Sequence, residues 1–236
     1  MKPAGTVSLS ANLGRIQERM AAACRRVGRS GPVTLVAVSK TVPAERIAEA
    51  YRAGVRHFGE NRVQEFEEKH RLLTLPSALW HLVGHLQTNK AKRAVELFER
   101  VDSVDSLRLA EKLAAAARAA GRTLPVLLQV RLGEEQTKHG VRPEELPALA
   151  ERIASLSSLG VKGLMALPPF REDPEEVRPY FRRLRELADS LAGRCMPGVG
   201  MGVLSMGMSH DFEVAIEEGA TEVRLGTALF GPRPLP

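Results

Sequence analysis

Lys40 directly follows an apolar run at residues 33–39 (VTLVAVS), a position from which a lysine could act as an amine nucleophile. The run predicts a buried parallel strand, and packing at the end of that strand would desolvate the ammonium. Desolvation lowers the pKa of a lysine, and a neutral amine can form a Schiff base with an aldehyde. The alternative is a lysine whose stem packs on the strand while its ammonium reaches solvent. Position alone leaves both interpretations open.

The last part of the chain offers a site for an anion. Ser209 begins a predicted helix at 209–219, and Gly226 and Thr227 lie where a predicted strand at 222–226 ends. Backbone N–H groups at a helix N-terminus attract anions, and glycine permits close approach of a ligand to the backbone. A plain helix cap and a plain turn would explain Ser209 and Gly226 separately. Their joint occurrence in the last two strand-to-helix loops favours a phosphate site.

Arg224 decides between two ligand classes. A Schiff-base lysine with a phosphate site fits a sugar-phosphate aldolase or a pyridoxal 5′-phosphate (PLP) protein. Arg224 stands two residues before Gly226, so it shares a side of the strand with it. A guanidinium there could donate to a pyridine nitrogen and, being always protonated, would leave that nitrogen without its own proton. A salt bridge at the barrel edge is the alternative role for Arg224.

These residues stand at the ends of predicted strands that alternate with helices. The strands are expected at 33–39, 56–59, 80–84, 101–103, 125–131, 161–166, 200–207 and 222–226. The intervening helices are expected at 43–54, 60–75, 88–100, 106–120, 143–158, 175–192 and 209–219, after a leading helix at 8–27. This order predicts a single (β/α)8 TIM barrel with an additional N-terminal helix, in one domain over residues 1–236. The leading helix would stand in for a missing eighth outer helix, and an open doubly wound sheet is the alternative fold.

Composition excludes several other classes of protein. The 236 residues are 44% hydrophobic and 26% charged, which is ordinary for a globular protein, and no apolar run is long enough for a membrane helix. The net charge of +6 is spread along helices and only 4% of residues are aromatic, so nucleic-acid binding is not expected. Two distant cysteines suit a reducing compartment, and His81 and His85 lack an evident third ligand. We expect a cytoplasmic protein without a metal site.

Five segments of this chain resemble the YggS/PROSC family, the PLP homeostasis proteins, over nearly its whole length. They are VAVSK (36–40), FGENRVQE (58–65), WHLVGHLQTNK (80–90), LSMGMSHD (204–211) and VRLGTALFG (223–231). The family's fold is a barrel similar to the N-terminal domain of alanine racemase, which agrees with the strand count.

The resemblance implies a PLP site formed by seven residues: Lys40, Asn61, His85, Ser209, Arg224, Gly226 and Thr227. Lys40 matches the lysine that holds PLP as an internal aldimine, and Arg224 matches the arginine facing the pyridine nitrogen. Many members carry a second lysine where this chain has Val42, so a role for that lysine in releasing PLP is in doubt here. Lys138 matches another lysine of the family.

The resemblance also implies a carrier without catalytic residues that buffers PLP and delivers it to apo PLP-dependent enzymes, and we expect it to be a monomer. The alternative is a PLP-dependent amino-acid racemase. Racemisation needs a proton donor or acceptor on each face of the substrate. Alanine racemases supply the second from a β-rich domain that this sequence does not contain, so we expect an open cofactor face and no turnover.

Overall fold

The computed structural model describes residues 8–133 and 139–232, and in these ranges eight parallel strands close into a barrel. In chain order the strands are β1 (Thr34–Val38), β2 (His57–Glu60), β3 (Leu79–Leu82), β4 (Arg100–Val104), β5 (Leu124–Val130), β6 (Leu159–Ala166), β7 (Val199–Ser205) and β8 (Glu222–Leu225). The predicted TIM barrel is confirmed. The doubly wound sheet is wrong, because β8 pairs with β1.

Nine α-helices accompany the strands within the described residues. They are α1 (Leu9–Arg26), α2 (Ala44–Arg52), α3 (Val63–His70), α4 (Ala91–Leu97), α5 (Leu107–Ala119), α6 (Leu146–Ala154), α7 (Arg178–Ala192), α8 (Phe212–Glu217) and α9 (Thr227–Phe230). Helices α2 to α8 connect successive strands, and short 3-10 turns precede α4 and α7. The sequence pattern missed α9, since four residues are too few to show a helical period. No helix in these ranges has both the length and the apolar character needed to span a bilayer.

The leading helix α1 covers the seam where the barrel closes. It packs against α8, α9 and α2. In this position it replaces the full-length outer helix that would otherwise follow β8, since α9 has only four residues. The Asn12 amide donates to the carbonyl of Leu229 at 3.0 Å, and Arg19 pairs with Glu213 at 3.0 Å. Helix α1 is therefore bound to α8 and α9, the helices before and after β8, in agreement with the sequence prediction that it takes the place of a missing outer helix.

The apolar core lies between the barrel and its helices. On one side it contains four fully or nearly fully buried rings, with centroid distances of 5.0 Å for Phe58–Trp80, 4.4 Å for Phe66–Trp80 and 4.7 Å for Phe66–Phe98. Burying each such ring stabilises the fold by about 1.5–3 kcal/mol. These rings pack β2 and β3 against α3 and α4. The loops that follow β2 and β3 line part of the cavity described below.

The inside of the barrel is charged rather than purely apolar. Arg100 and Asp102 alternate inward from β4, and Glu222 and Arg224 alternate inward from β8. Strands β4 and β8 are not neighbours, so the 2.6 Å ion pair between Arg100 and Glu222 crosses the interior. Barrel interiors are usually filled by branched apolar side chains. A layer of paired charges here forms the floor beneath the C-terminal ends of the strands.

Element boundaries differ from the predicted ones where a polar residue is buried. The helix expected at 60–75 begins only at Val63, because Glu60 is the last residue of β2 and is completely buried. The helix expected at 209–219 begins at Phe212. The grouping of residues 1–236 into one domain stays a prediction.

Candidate functional site

A cavity of about 670 Å³ opens at the C-terminal ends of the strands. This volume is in the usual range for a site that binds a small molecule. All seven residues expected at the cofactor line it: Lys40, Asn61, His85, Ser209, Arg224, Gly226 and Thr227. The sequence prediction that they meet at one end of the barrel is therefore consistent with the structure. Lys138 lies outside the described residues.

Lys40 follows β1, which pairs with β8 in a register that sets Val36 opposite Arg224. The half-buried Lys40 is the second residue of a turn closed by a hydrogen bond from the Val42 N–H to the Ser39 carbonyl at 3.0 Å. Thr41, the third residue of this turn, has a φ of 61°. A left-handed conformation costs a β-branched residue on the order of 1–2 kcal/mol, so neighbouring contacts must hold it.

A partly buried ionic cluster of Glu60, Glu65 and Lys69 provides those contacts. The Thr41 N–H donates to Glu65 Oε1 at 2.6 Å, and Lys69 Nζ donates to Glu65 Oε1 at 2.7 Å, to the Ser39 carbonyl at 2.8 Å and to Glu60 Oε1 at 3.0 Å. Burial raises the pKa of Glu60, and Lys69 partly offsets this. Burial also acts on Glu65, but the hydrogen bonds from Lys69 and Thr41 outweigh it and lower its pKa. Both neighbours of Lys40 in the chain are thus bound to one cluster.

Arg224 reaches the cavity from the barrel interior, and its side chain is held from below. Its Nη1 donates to Ser205 Oγ and its Nη2 to the Ala166 carbonyl, each at 2.7 Å. Burial lowers the pKa of the guanidinium, which nevertheless remains protonated near neutral pH. The side chain is 3% exposed, so its charge acts in a medium of low dielectric.

The charged residues beneath Arg224 form ion pairs with one another. Ser205 Oγ accepts from Arg224, so its proton goes to Glu222 Oε1 at 2.8 Å. Arg100 binds Asp102 with two hydrogen bonds, at 2.6 and 2.9 Å, and also binds both oxygens of Glu222. Burial raises the pKa of Asp102 to about 6, although Arg100 opposes this. Because Arg100 takes both carboxylates, Arg224 makes no direct ion pair among the described contacts.

Two histidines continue this polar layer within the barrel. His57 Nδ1 and His81 Nε2 are 3.0 Å apart, so one ring donates to the other. Burial lowers the pKa of both rings, and that of His81 falls well below its usual value. His81 is buried inside the barrel and does not line the cavity, whereas His85 does. The i, i+4 spacing of His81 and His85 does not create a shared site.

The loops after β7 and β8 meet at Ser209, but not as the sequence predicted. The expectation that Ser209 caps a helix is wrong, because α8 begins three residues later. Gly207 turns the chain with a φ of 90°, and Asp211 Oδ1 accepts from the Met208 N–H at 2.6 Å in the loop before α8. Ser209 Oγ instead accepts from the Ala228 N–H at 3.2 Å. This contact joins the two loops at the start of α9.

Asn61 and His85 form the wall opposite these loops. A Cβ on Gly84 would lie 2.3 Å from the Asn61 carbonyl oxygen, so only glycine permits this close approach. The His85 ring stacks on His139 with a centroid distance of 3.6 Å and an angle of 9° between the planes. Asp105 Oδ2 lies 3.7 Å from His85 Nδ1.

His85, Asp105 and His139 offer three ligand atoms within 4.8 Å of one another, a grouping that the sequence did not reveal. Lone pairs of imidazole lie in the ring plane, so two stacked, nearly parallel rings cannot direct them to one metal ion between them. The arrangement stacks the rings at the mouth of the cavity. That the protein holds no metal stays a prediction.

Comparison with known proteins identifies the family. Residues 11–234 match the family described as the N-terminal domain of alanine racemase. A "Pyridoxal phosphate homeostasis protein" of Aquifex aeolicus is 48% identical over 222 residues, covering 94% of this chain and 96% of that protein. The chain belongs to the pyridoxal phosphate homeostasis protein family. The Escherichia coli K12 protein of the same name is 42% identical over 226 residues, covering 94% of this chain and 95% of its own length.

Solved structures agree with this membership. PipY of Synechococcus elongatus, determined with PLP bound, is 41% identical with a TM-score of 0.84, covering 95% of this chain and 100% of PipY. An alanine racemase of Clostridium difficile is 18% identical with a TM-score of 0.75, covering 96% of this chain and 57% of the racemase. At that identity the racemase shares only the fold. The resemblance of the five sequence segments to pyridoxal phosphate homeostasis proteins is confirmed.

Sequence reasoning about this member of the pyridoxal phosphate homeostasis family missed the residues that support the site. Glu65 and Lys69 have the i, i+4 spacing of a helical ion pair, a signal that was available in the sequence. Arg100 and Glu222 are 122 positions apart, and no local pattern links them. Such residues become visible only when the closed barrel brings distant strands together.

Proposed function

We propose that this chain binds PLP, with Lys40 as the residue that bonds the aldehyde carbon. One observation carries the proposal: an amine, a buried guanidinium and the hydroxyls of two adjoining loops line the same cavity. The relatives' name and the PLP bound to PipY point to the same ligand. A primary amine and an aldehyde combine with loss of one water, so a single lysine suffices for the covalent bond.

The donor set fits the three functional groups of PLP. Lys40 would meet the aldehyde, and Arg224 would donate to the ring nitrogen from the floor of the cavity. Ser209 and Thr227 offer hydroxyl groups to the phosphate, and Gly226 leaves the backbone there accessible. When bound, PLP supplies an electrophilic aldehyde and an aromatic ring that can withdraw electrons.

The fixed charge of Arg224 argues for a carrier rather than an enzyme. Its guanidinium is anchored by Ser205 and Ala166 and has no carboxylate within hydrogen-bond distance among the described residues. Opposite such a cation a pyridine nitrogen stays unprotonated, which makes the ring a weaker electron acceptor for chemistry at the α-carbon of an amino acid. Weak activation of substrates suits a protein that holds PLP and passes it on.

The cavity wall near β6 supports the same interpretation. Leu167 and Phe170 line this side with exposed fractions of 38% and 67%. Apolar side chains can neither donate nor accept a proton, and their exposure shows that this side of the cavity opens to solvent. We propose a non-catalytic role in which PLP is stored and delivered to apo-enzymes, and we further propose that the protein is monomeric and cytoplasmic.

Covalent binding is tested by adding PLP to the purified protein, reducing with borohydride and measuring the intact mass. We expect one PLP adduct on the wild type and on Lys92→Ala, which removes an exposed lysine of α4, and none on Lys40→Ala. An adduct on Lys40→Ala equal to that of the wild type would show that another residue binds the aldehyde.

The carrier role is tested by comparing loaded protein with an equal concentration of free PLP as the source for an apo-enzyme. Delivery is supported if the apo-enzyme regains activity faster with loaded protein. Incubation of the loaded protein with single L-amino acids, followed by chiral analysis, tests the racemase alternative. Turnover well above that of free PLP would contradict a non-catalytic role.

A further inference from the structure

We propose that Lys69 is a positioning residue for Lys40, fixing the strained turn that presents the Lys40 amine to the cavity. This proposal rests on the proposed function. Lys69 lies in α3 and does not line the cavity, so it would act only through the backbone on either side of Lys40.

The contacts of Lys69 use the full donor capacity of its ammonium group. Three N–H donors meet acceptors on Ser39, Glu60 and Glu65, at 2.8, 3.0 and 2.7 Å. The Lys69 side chain is only 13% exposed and that of Glu60 is completely buried. An ordinary ion pair on the surface of a helix would be more exposed than this one. Lys69 could also pair with both carboxylates without donating to the Ser39 carbonyl, so that hydrogen bond is an additional contact to the backbone. The cluster therefore binds two backbone groups, the Ser39 carbonyl and the Thr41 N–H, on either side of Lys40.

The backbone on both sides of Lys40 is held by the same cluster. Before it, Ser39 donates its N–H to the Gly59 carbonyl at 2.9 Å and its hydroxyl to Glu60 at 2.7 Å. After it, the Thr41 N–H is bound by Glu65. Lys40 thus projects from a short segment whose two ends are fixed to β2 and α3.

The strained conformation of Thr41 explains what the cluster does. In a turn with positive φ at the third residue, glycine is the ordinary occupant. Rotation of the peptide between Lys40 and Thr41 would relax Thr41 to negative φ, and it would remove the Thr41 N–H from Glu65. That rotation changes ψ of Lys40 and releases the segment after it, so the cluster would hold the backbone next to Lys40 only at Ser39. Glu65 opposes the rotation, and Lys69 holds Glu65 in place.

The test separates covalent bonding from binding. Apo forms of the wild type, Lys69→Met and Glu65→Ala are mixed with PLP, and the rate of adduct formation is followed by absorbance and borohydride trapping. Affinity is measured with pyridoxine 5′-phosphate, which has an alcohol in place of the aldehyde. We expect both variants to form the adduct at least about tenfold more slowly, with affinity for the alcohol within about twofold of the wild type. Lys92→Met, the same substitution at an exposed lysine, should match the wild type.

A rescue experiment tests the strained turn directly. Glycine adopts positive φ without steric cost, so Thr41→Gly in the Lys69→Met background should recover most of the lost rate. A general loss of stability would not be corrected by this change. If Lys69→Met does not fold, Glu65→Ala and its combination with Thr41→Gly serve for the same comparison, because Glu65 is only half-buried.

Three results would overturn the proposal. They are adduct formation by Lys69→Met and Glu65→Ala at the rate of the wild type, a parallel loss of affinity for pyridoxine 5′-phosphate, and no recovery with Thr41→Gly. A wild type that forms no adduct and does not bind the alcohol would instead refute the proposed function, and the role of Lys69 with it.

Discussion

The charged layer inside the barrel makes a quantitative prediction for Arg100→Met. This change leaves Asp102 and Glu222 without their shared cation, while both side chains stay buried. Removing one partner from a buried ion pair costs about 3–5 kcal/mol, because an uncompensated charge remains. We therefore expect the free energy of unfolding to fall by about 3–5 kcal/mol near neutral pH, and the melting temperature by about 6–20 °C for a chain of this size.

The dependence on pH follows from the pKa of Asp102. Burial already raises the pKa of Asp102 to about 6, above the value of about 3.9 in an unfolded chain. A raised pKa means that the folded state binds the proton more tightly, so this contribution to stability is present at low pH and is lost as pH rises through about 6. Without Arg100 the pKa of Asp102 rises further, because Arg100 is the group that opposes the effect of burial. The difference between Arg100→Met and the wild type should therefore shrink from about pH 8 to about pH 5.

The assay is urea unfolding followed by circular dichroism at both pH values. The matched control is Arg93→Met, because Arg93 also pairs with two carboxylates, Glu67 and Glu96, but its side chain is 40% exposed. Solvent screens exposed pairs, so this variant should lose little stability at either pH. Equal losses in the two variants, or a loss in Arg100→Met that does not change with pH, would refute the reasoning.

Three further changes test the cavity itself. Gly84→Ala should weaken PLP binding at least about tenfold in a titration, because the new Cβ would lie 2.3 Å from the Asn61 carbonyl oxygen and would push Asn61 away. Unchanged affinity would show that Asn61 is not needed. Ser209→Ala should weaken competition by inorganic phosphate at least about tenfold, since a hydrogen bond to a charged group contributes about 1.5–3 kcal/mol; an unaffected inhibition constant would place the anion elsewhere. Arg224→Gln should let the ring nitrogen take up a proton and so alter how the absorbance of bound PLP varies with pH, and an identical pH profile would mean that Arg224 does not face that nitrogen.

The order of strands and helices was predictable because apolar runs and breakers alternate along this chain. The run before Lys40 and the glycines that follow helices mark their elements directly, and the observed strands differ from the predicted ones by one or two residues in most cases. Local signals sufficed since each strand contacts its neighbours in sequence.

The chemistry of the supporting residues was harder to predict. Ser209 satisfied the composition rule for a helix cap, yet the turn at Gly207 moved the helix start past it. The charged layer depends on β4 facing β8 across the barrel, which follows only from closure. His139 approaches His85 from a distant loop, so their stacking has no sequence signal.

Closure of the barrel by its first and last strands also sets when the cavity can exist. Lys40 follows β1, whereas Arg224 and Thr227 belong to β8 and the helix after it. During synthesis Lys40 is translated early, whereas Arg224 and Thr227 are among the last residues to be translated. A nascent chain up to β7 has no complete pocket, so the proposed binding of PLP requires the completed fold, and a protease that removes β8 would leave PLP held by its bond to Lys40 but without Arg224 and Thr227.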